Sequence, residues 1–256
     1  MHLRPEHNFR DLGGHRTVDG ATIRTGAVYR SAHLHETDDD DLETLARLGI
    51  RTICDLRAFD EAAARPSALA ALPGVEVVRL GQVGARVIGD PVNAILEYGF
   101  TQVTERDVAR FYEFLVEEQP RAFGEVIEVC AAAPRHAVVV HCSAGKDRTG
   151  IAAALLLSAL GVPDDAVIAD YALTSEYWSP SQLRRAQPLL EEAGLSFESL
   201  RTYFLAPAEA MARTLAHLRS RHGSIEDYLI GAAGVSRRTL ADLRTALIEG
   251  NGVRSG

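Results

Sequence analysis

Cys142 and Arg148 close the two ends of the segment His141-Cys-Ser-Ala-Gly-Lys-Asp-Arg-Thr-Gly150, with five residues between them. A cysteine sulfur is a strong nucleophile once ionised. An arginine fork matches the oxygens of a phosphate through two parallel hydrogen bonds. Gly145, between the two, opens backbone conformations that other residues avoid, so successive amides can turn inward as an anion nest. The segment also runs from a short apolar stretch of β-formers, Ala137 to Val140, into a nearly all-apolar helix, Thr149 to Leu160. A loop at the carboxyl end of a parallel strand is where α/β sheets bind ligands, and a helix start offers free amides and the positive end of a dipole. The same field favours the ionised form of a thiol facing it. One loop is thus expected to hold a phosphoryl group and to activate the atom that attacks it.

Other readings of the segment fit less well. A Walker A loop needs Ser or Thr after its lysine and a leading glycine, whereas Asp147 follows Lys146. A metal site at His141 and Cys142 lacks further ligands at suitable spacing. The remaining cysteines, Cys54 and Cys130, read as small buried hydrophobes.

The elements that must position this loop follow from periodicity and punctuation. Thr17 to Ile23 reads as a hairpin turning at Asp19-Gly20, and Ala27 to Ser31 as a strand. Thr37 reads as an N-cap, with Asp38 to Asp41 at the positive end of a helix that Gly49 stops. Arg51 to Leu56 and Val75 to Leu80 are strands, and 81–89 a loop. Pro91 to Phe100, Glu105 to Glu118 and Arg121 to Ala133 are consecutive helices. Gly161 and Pro163 end the buried helix, and everything from Asp164 onward reads as helix. Strands alternating with helices imply an α/β fold with a mainly parallel central sheet flanked by helices, followed by a helical C-terminal half. The expectation is one domain over residues 1–256, with 81–134 as a helical lid.

Composition bounds the partners. The 256 residues carry a formal net charge of −8, which disfavours nucleic acid and anionic membranes. Three cysteines, an odd number without a CxxC pair, point to a reducing compartment. The charged N-terminus lacks the apolar run of a signal peptide, and no apolar stretch is long enough to span a bilayer. A cytoplasmic location is expected, with export without a signal peptide left open. Of 27 basic residues one is a lysine, Lys146, and it lies inside the loop.

The Cys-x5-Arg-Thr-Gly pattern resembles the signature of the protein tyrosine phosphatase superfamily. Asn8-Phe-Arg-Asp-Leu-Gly-Gly14, Tyr29-Arg-Ser-Ala32, Asp55-Leu-Arg57 with Glu61, Asp170-Tyr171 and Gly223-Ser-Ile-Glu-Asp-Tyr228 extend the likeness to the atypical bacterial tyrosine/serine phosphatases over nearly the whole chain. That resemblance implies Cys142 as nucleophile and Arg148 as phosphate clamp, with Ser143, Ala144, Gly145, Lys146 and Thr149 completing the phosphate-binding loop. Thr149 would bond the sulfur and His141 would orient the loop. Common members take their general acid from a Trp-Pro-Asp loop. Here the only tryptophan, Trp178, lies downstream in Trp178-Ser-Pro180. The atypical family carries an aspartate in the signature loop instead, which is Asp147; Asp107 and Asp90 are the alternatives upstream. The family's lysine at the position of Lys146 is associated with phosphoinositides as well as phosphoproteins. Asp55 and Arg57 sit where they would add positive potential, anchor Arg148, or pair with each other. Gly13-Gly14 reads as a tight turn. The implied reaction forms a phosphocysteine and needs no metal or organic cofactor. Its substrates would be phosphotyrosine proteins, with phosphoserine and phosphothreonine, or else phosphoinositides and small phosphomonoesters. A phosphate-binding module without turnover and a sulfur-transfer enzyme are the rivals from other classes.

Overall fold

The computed structural model describes residues 4, 7–34, 37–81, 102–177, 187–188, 190–192 and 194–249. The described elements begin with β1 (Arg10–Asp11), β2 (Thr22–Ile23), β3 (Val28–Ser31), α1 (Asp39–Arg47), β4 (Thr52–Asp55), α2 (Phe59–Ala64) and β5 (Glu76–Arg79). Then come α3 (Glu105–Glu118), α4 (Pro120–Ala131), β6 (Val138–His141), α5 (Asp147–Ala159) and α6 (Asp164–Ala172). The last are α7 (Phe197–Phe204), α8 (Ala208–His222), α9 (Ile225–Gly231), α10 (Arg237–Leu247) and β7 (Ile248–Glu249).

Five strands form one sheet in the order β1-β3-β6-β4-β5. Only β1 runs antiparallel, against β3; the other pairings are parallel. The strand that feeds the cysteine loop, β6, is central, and a strand buried on both faces reads as a continuous apolar run. Its side chains alternate as a pleat demands: Val138 and Val140 join a large cluster containing the α5 residues Ile151 and Leu155, while Val139 joins a smaller cluster with Tyr29, Leu45 and Ile53 on the opposite face. The fold is therefore mixed α/β with a mostly parallel central sheet and a helical C-terminal half.

Three boundaries differ from the sequence reading. The cap of α1 is Asp38, not Thr37: the Asp38 carboxylate accepts from the Asp41 amide at 2.8 Å, and a carboxylate also meets the helix dipole favourably. The hairpin turn at Asp19-Gly20 forms, with an Arg16–Thr22 bridge, but β2 finds its main partner in β7 near the far end of the chain. After Asp164 the described residues are mainly helical as far as Leu247, where the edge of β2 takes a strand instead. Of the expected lid, 82–101, with the helix at Pro91 to Phe100 and Asp90, lies outside the described residues; α3 and α4 bury Tyr112, Leu115, Phe123 and Ile127 in the large cluster.

Candidate active site

The site is built at the carboxyl end of the central strand. Ser31 of β3 and Asp55 of β4 both lie in register with His141, the last residue of β6. Cys142 follows, with its side chain 2% exposed, and α5 begins at Asp147. Between them Gly145 adopts φ +65°, and a Cβ there would sit 2.5 Å from both the Ala32 amide and the Ser31 carbonyl. Glycine is required on both counts. The amides from Ser143 to Arg148 donate to no described residue, as expected of a helix start that keeps its donors for a ligand.

The loop is held from beneath. The Gly145 carbonyl accepts from Asn8 Nδ2 at 3.0 Å and from the Arg30 guanidinium at 2.9 Å. In a trans peptide C=O and N–H point opposite ways, so pinning this carbonyl turns the Lys146 amide to the other side. Arg30, fully buried, also donates to Asp170 Oδ2 at 2.6 Å. Asp170 Oδ1 accepts from Arg10 at 2.9 Å, and Arg10 donates as well to the Asn8 side chain. Burial alone would raise the Asp170 carboxyl, but the two guanidiniums hold it below the usual carboxylate range. Burial beside Arg30 in turn lowers Arg10 to about 10.

Arg148 is clamped by Glu61. Its guanidinium donates to Glu61 Oε2 at 2.8 Å and Oε1 at 3.1 Å, and to the Leu56 carbonyl at 3.0 Å. Glu61 is the third residue of α2 and also accepts from the Ala58 amide and from Ser143 Oγ, both at 2.7 Å. One carboxylate thus ends α2, orients the arginine and tethers the loop. Burial works against the charge on each partner; their pairing wins, leaving Glu61 below and Arg148 above its ordinary pKa. The Cys142 sulfur adds to the upward pull on Arg148.

Asp55 does not reach Arg148. It pairs with Arg57 through Nε at 2.9 Å and a terminal nitrogen at 2.7 Å, and Arg57 also donates to the Arg65 carbonyl. This is the ion pair that the sequence left open as a structural alternative. His141 donates from Nδ1 to the Cys142 carbonyl at 3.0 Å, while the buried Nε2 has no hydrogen-bond partner among the described residues and lies 3.7 Å from Asp55 Oδ1. Burial pushes its pKa down, so the ring is neutral near pH 7.

One oxygen of Asp147 meets a hydroxyl donor and a cation. Tyr112 OH and Lys146 Nζ each lie 2.8 Å from Oδ1. Lys146 is 2% exposed; its ammonium also donates to the Tyr203 carbonyl at 2.8 Å and lies 4.9 Å from the centre of that ring. Thr149 is fully buried, and its hydroxyl has no partner among the described residues, Cys142 Sγ included. Asp107 is half-buried and spends its carboxylate on the Thr104 amide and hydroxyl, capping α3. Asp11 receives the Gly13 and Gly26 amides and fixes the Gly13-Gly14 turn. Asp90 and Trp178 to Pro180 lie outside the described residues. Cys54 and Cys130 are fully buried, with their thiols pushed up by burial, Cys130 to about 12.

The sequence reading assigned no role to Glu61, Tyr112, Asn8 or Arg30. Glu61 has a local signal, an acidic third residue of a helix starting just after a strand. Tyr112 has none, since an aromatic on a helix face reads as core.

Among the described residues no helix is long and apolar enough to cross a membrane, and no cluster of three or more His, Cys, Asp or Glu could hold a metal ion. Residues 1–249 match the model of a family described as "Tyrosine phosphatase family". A tyrosine-protein phosphatase of Nostoc commune is 31% identical, covering 88% of this chain and 75% of the relative. A putative tyrosine-protein phosphatase of Cupriavidus necator is 28% identical over 95% of this chain and 86% of its own. The triple specificity protein phosphatase PtpB of Mycobacterium tuberculosis is 28% identical over 94% and 96%. With the family model matched over residues 1–249 and a relative 31% identical over most of both chains, the chain belongs to the tyrosine phosphatase family.

Proposed function

We propose that this enzyme hydrolyses phosphotyrosine proteins, with phosphoserine and phosphothreonine as further substrates, through a phosphocysteine. The Cys142 sulfur attacks phosphorus; an S–P bond forms and the P–O bond to the leaving group breaks. Asp147 gives its proton to the departing oxygen. Water then attacks phosphorus, the S–P bond breaks, Asp147 takes the proton from that water, and inorganic phosphate leaves. Arg148 and the amides of Ser143 to Arg148 hold the non-bridging oxygens, where negative charge must be stabilised. Thr149, whose buried hydroxyl is unpaired among the described residues, would have to turn toward the sulfur to help it depart.

The observation that carries this reading is the Glu61-clamped guanidinium of Arg148, on the helix that ends the loop begun by Cys142, a loop whose amides donate to no described residue. The names of the relatives, tyrosine-protein phosphatase and triple specificity protein phosphatase, support the substrate class. Lys146 is engaged by Asp147 and the Tyr203 carbonyl. A phosphoinositide with a second phosphate would have to draw it away, which favours phosphoprotein over phosphoinositide.

The test is pre-steady-state release of phenol from an aryl phosphate. Wild type should give a burst matching the enzyme concentration, and Cys142→Ser should lose both burst and turnover. Turnover surviving in Cys142→Ser would overturn the reading. A panel of phosphotyrosine, phosphoserine and phosphothreonine peptides and phosphoinositide vesicles, run with Lys146→Ala, assigns the substrate: loss confined to the vesicles would favour the lipid.

A further inference from the structure

Tyr112 and Tyr171 are large, fully buried side chains that the reaction above does not use. Their hydroxyls lie 2.6 Å apart, and their rings meet edge to face at 5.9 Å. Tyr112 OH is also 2.8 Å from Asp147 Oδ1. A phenol has one proton to give. A carboxylate oxygen facing it accepts, so Tyr112 donates to Asp147 and accepts from Tyr171. The chain of donors is directional: Tyr171, Tyr112, Asp147.

We propose that Tyr112, backed by Tyr171, is the positioning residue that fixes which oxygen of Asp147 handles the proton; this rests on Asp147 being the general acid. Lys146 Nζ forms an ion pair with Oδ1 at 2.8 Å. With the Tyr112 hydroxyl donating to Oδ1, the Lys146 ammonium beside the same oxygen, and no donor to Oδ2 among the described residues, the proton of the neutral carboxyl sits on Oδ2. In the first step the Oδ2–H bond breaks and the leaving oxygen gains that proton. In the second, Oδ2 takes one from the attacking water. Tyr112 and Lys146 keep their own protons throughout. Burial, with Asp147 next to it, pushes the Tyr112 phenol well above its usual value, so it remains a donor across the working pH range.

The packing shows why the arrangement is rigid. The Tyr171 ring lies against Gly150, where a Cβ would be 2.9 Å from its Cδ2. Gly150 follows Asp147 by three residues, on the first turn of α5. The ring therefore seats on the same helical turn whose carboxylate its hydroxyl helps to orient. Its neighbour Asp170 holds Arg30, which holds the Gly145 carbonyl. The Asp170-Tyr171 pair of α6 thus reaches both the phosphate loop and the acid.

The experiment compares Tyr112→Phe, Tyr171→Phe and Asp147→Asn on an aryl phosphate with a good leaving group and on a phosphoserine peptide with a poor one. General acid catalysis supplies roughly 10²–10⁴-fold, and we expect Tyr112→Phe to lose about 10-fold of it in kcat on the poor leaving group. KM and the good leaving group should change little. Tyr171→Phe keeps the Tyr112 donor and should lose less. In the Asp147→Asn background Tyr112→Phe should add nothing. Melting temperature is recorded for each, and the double Tyr112→Phe/Tyr171→Phe variant removes both hydroxyls should the single one fold poorly. If Asp147→Asn shows a leaving-group-dependent loss and neither Tyr112→Phe nor the double variant does, this proposal falls and the acid assignment stands. If Asp147→Asn loses equally on both substrates, the acid assignment falls and this proposal with it.

Discussion

Glu61 touches the Ala58 amide, Ser143 Oγ and both ends of the Arg148 fork, so its charge is where α2 and the phosphate clamp meet. Hydrogen bonds to charged groups contribute about 1.5–3 kcal/mol each. Glu61→Gln keeps the shape, removes the charge and leaves one acceptor where there were two. We expect kcat/KM on an aryl phosphate to fall about 10–100-fold, since each factor of ten corresponds to about 1.4 kcal/mol. Circular dichroism should show the fold intact. An unchanged kcat/KM would mean that Arg148 is oriented by the Leu56 carbonyl alone. At this scale the sequence was legible where a residue's type is itself the chemistry: Cys142, Arg148 and Gly145 stand together in one segment. It was silent where a role depends on a partner far along the chain. Nothing local says that Tyr112 meets Asp147, 35 positions on, or that Asn8 reaches Gly145.

Among the elements, β6 and α5 do most to define the site, and both announced themselves: a strand buried on both faces is apolar throughout, and so is a helix buried all round. What the pattern did not carry was lateral order. That β3 and β4 flank β6, which brings Ser31 and Asp55 level with His141, is set by tertiary pairing. The cap of α1 and the partner of β2 were misread for the same reason, because competing caps and distant strand edges leave no local trace. The turn between β6 and α5 offers the sharpest test at this scale. In Gly145→Ala a methyl group would meet backbone atoms of Ser31 and Ala32 at 2.5 Å, with φ at +65°. A strained left-handed residue costs about 1–3 kcal/mol, and the clash adds to that. Gly145→Ala is expected to melt lower and to lose phosphate binding, read by competitive inhibition with vanadate. Unchanged inhibition would show that the loop can reshape around a side chain.

Across the whole molecule, acidic groups buried beside arginines set how the fold responds to pH. Asp55, Glu61 and Asp170 are all held below their usual values, which lie at about 3.9–4.3. In each case burial pulls upward and the arginine partners prevail. Between the folded and unfolded pKa values the unfolded chain binds more protons, so this stabilisation is present above the unfolded values and is lost as pH falls through the folded ones. Urea midpoints should therefore fall gently from about pH 7 to 5, where the unfolded chain protonates a His141 that burial keeps neutral, and drop steeply below about pH 4 as the carboxylates follow. Asp170→Asn should be less stable at pH 7 but show a shallower drop, and an equally steep drop in that variant would remove Asp170 from the account. The two guanidiniums that share Asp170 have a further consequence. Arg10 and Arg30 bring two positive charges against one negative, leaving an excess of one beneath the phosphate loop of an otherwise acidic protein. Mobile counterions cannot gather around a charge in the interior as they do at the surface. The attraction this enzyme exerts on a phosphate dianion should therefore persist at ionic strengths that would mask a patch of surface arginines.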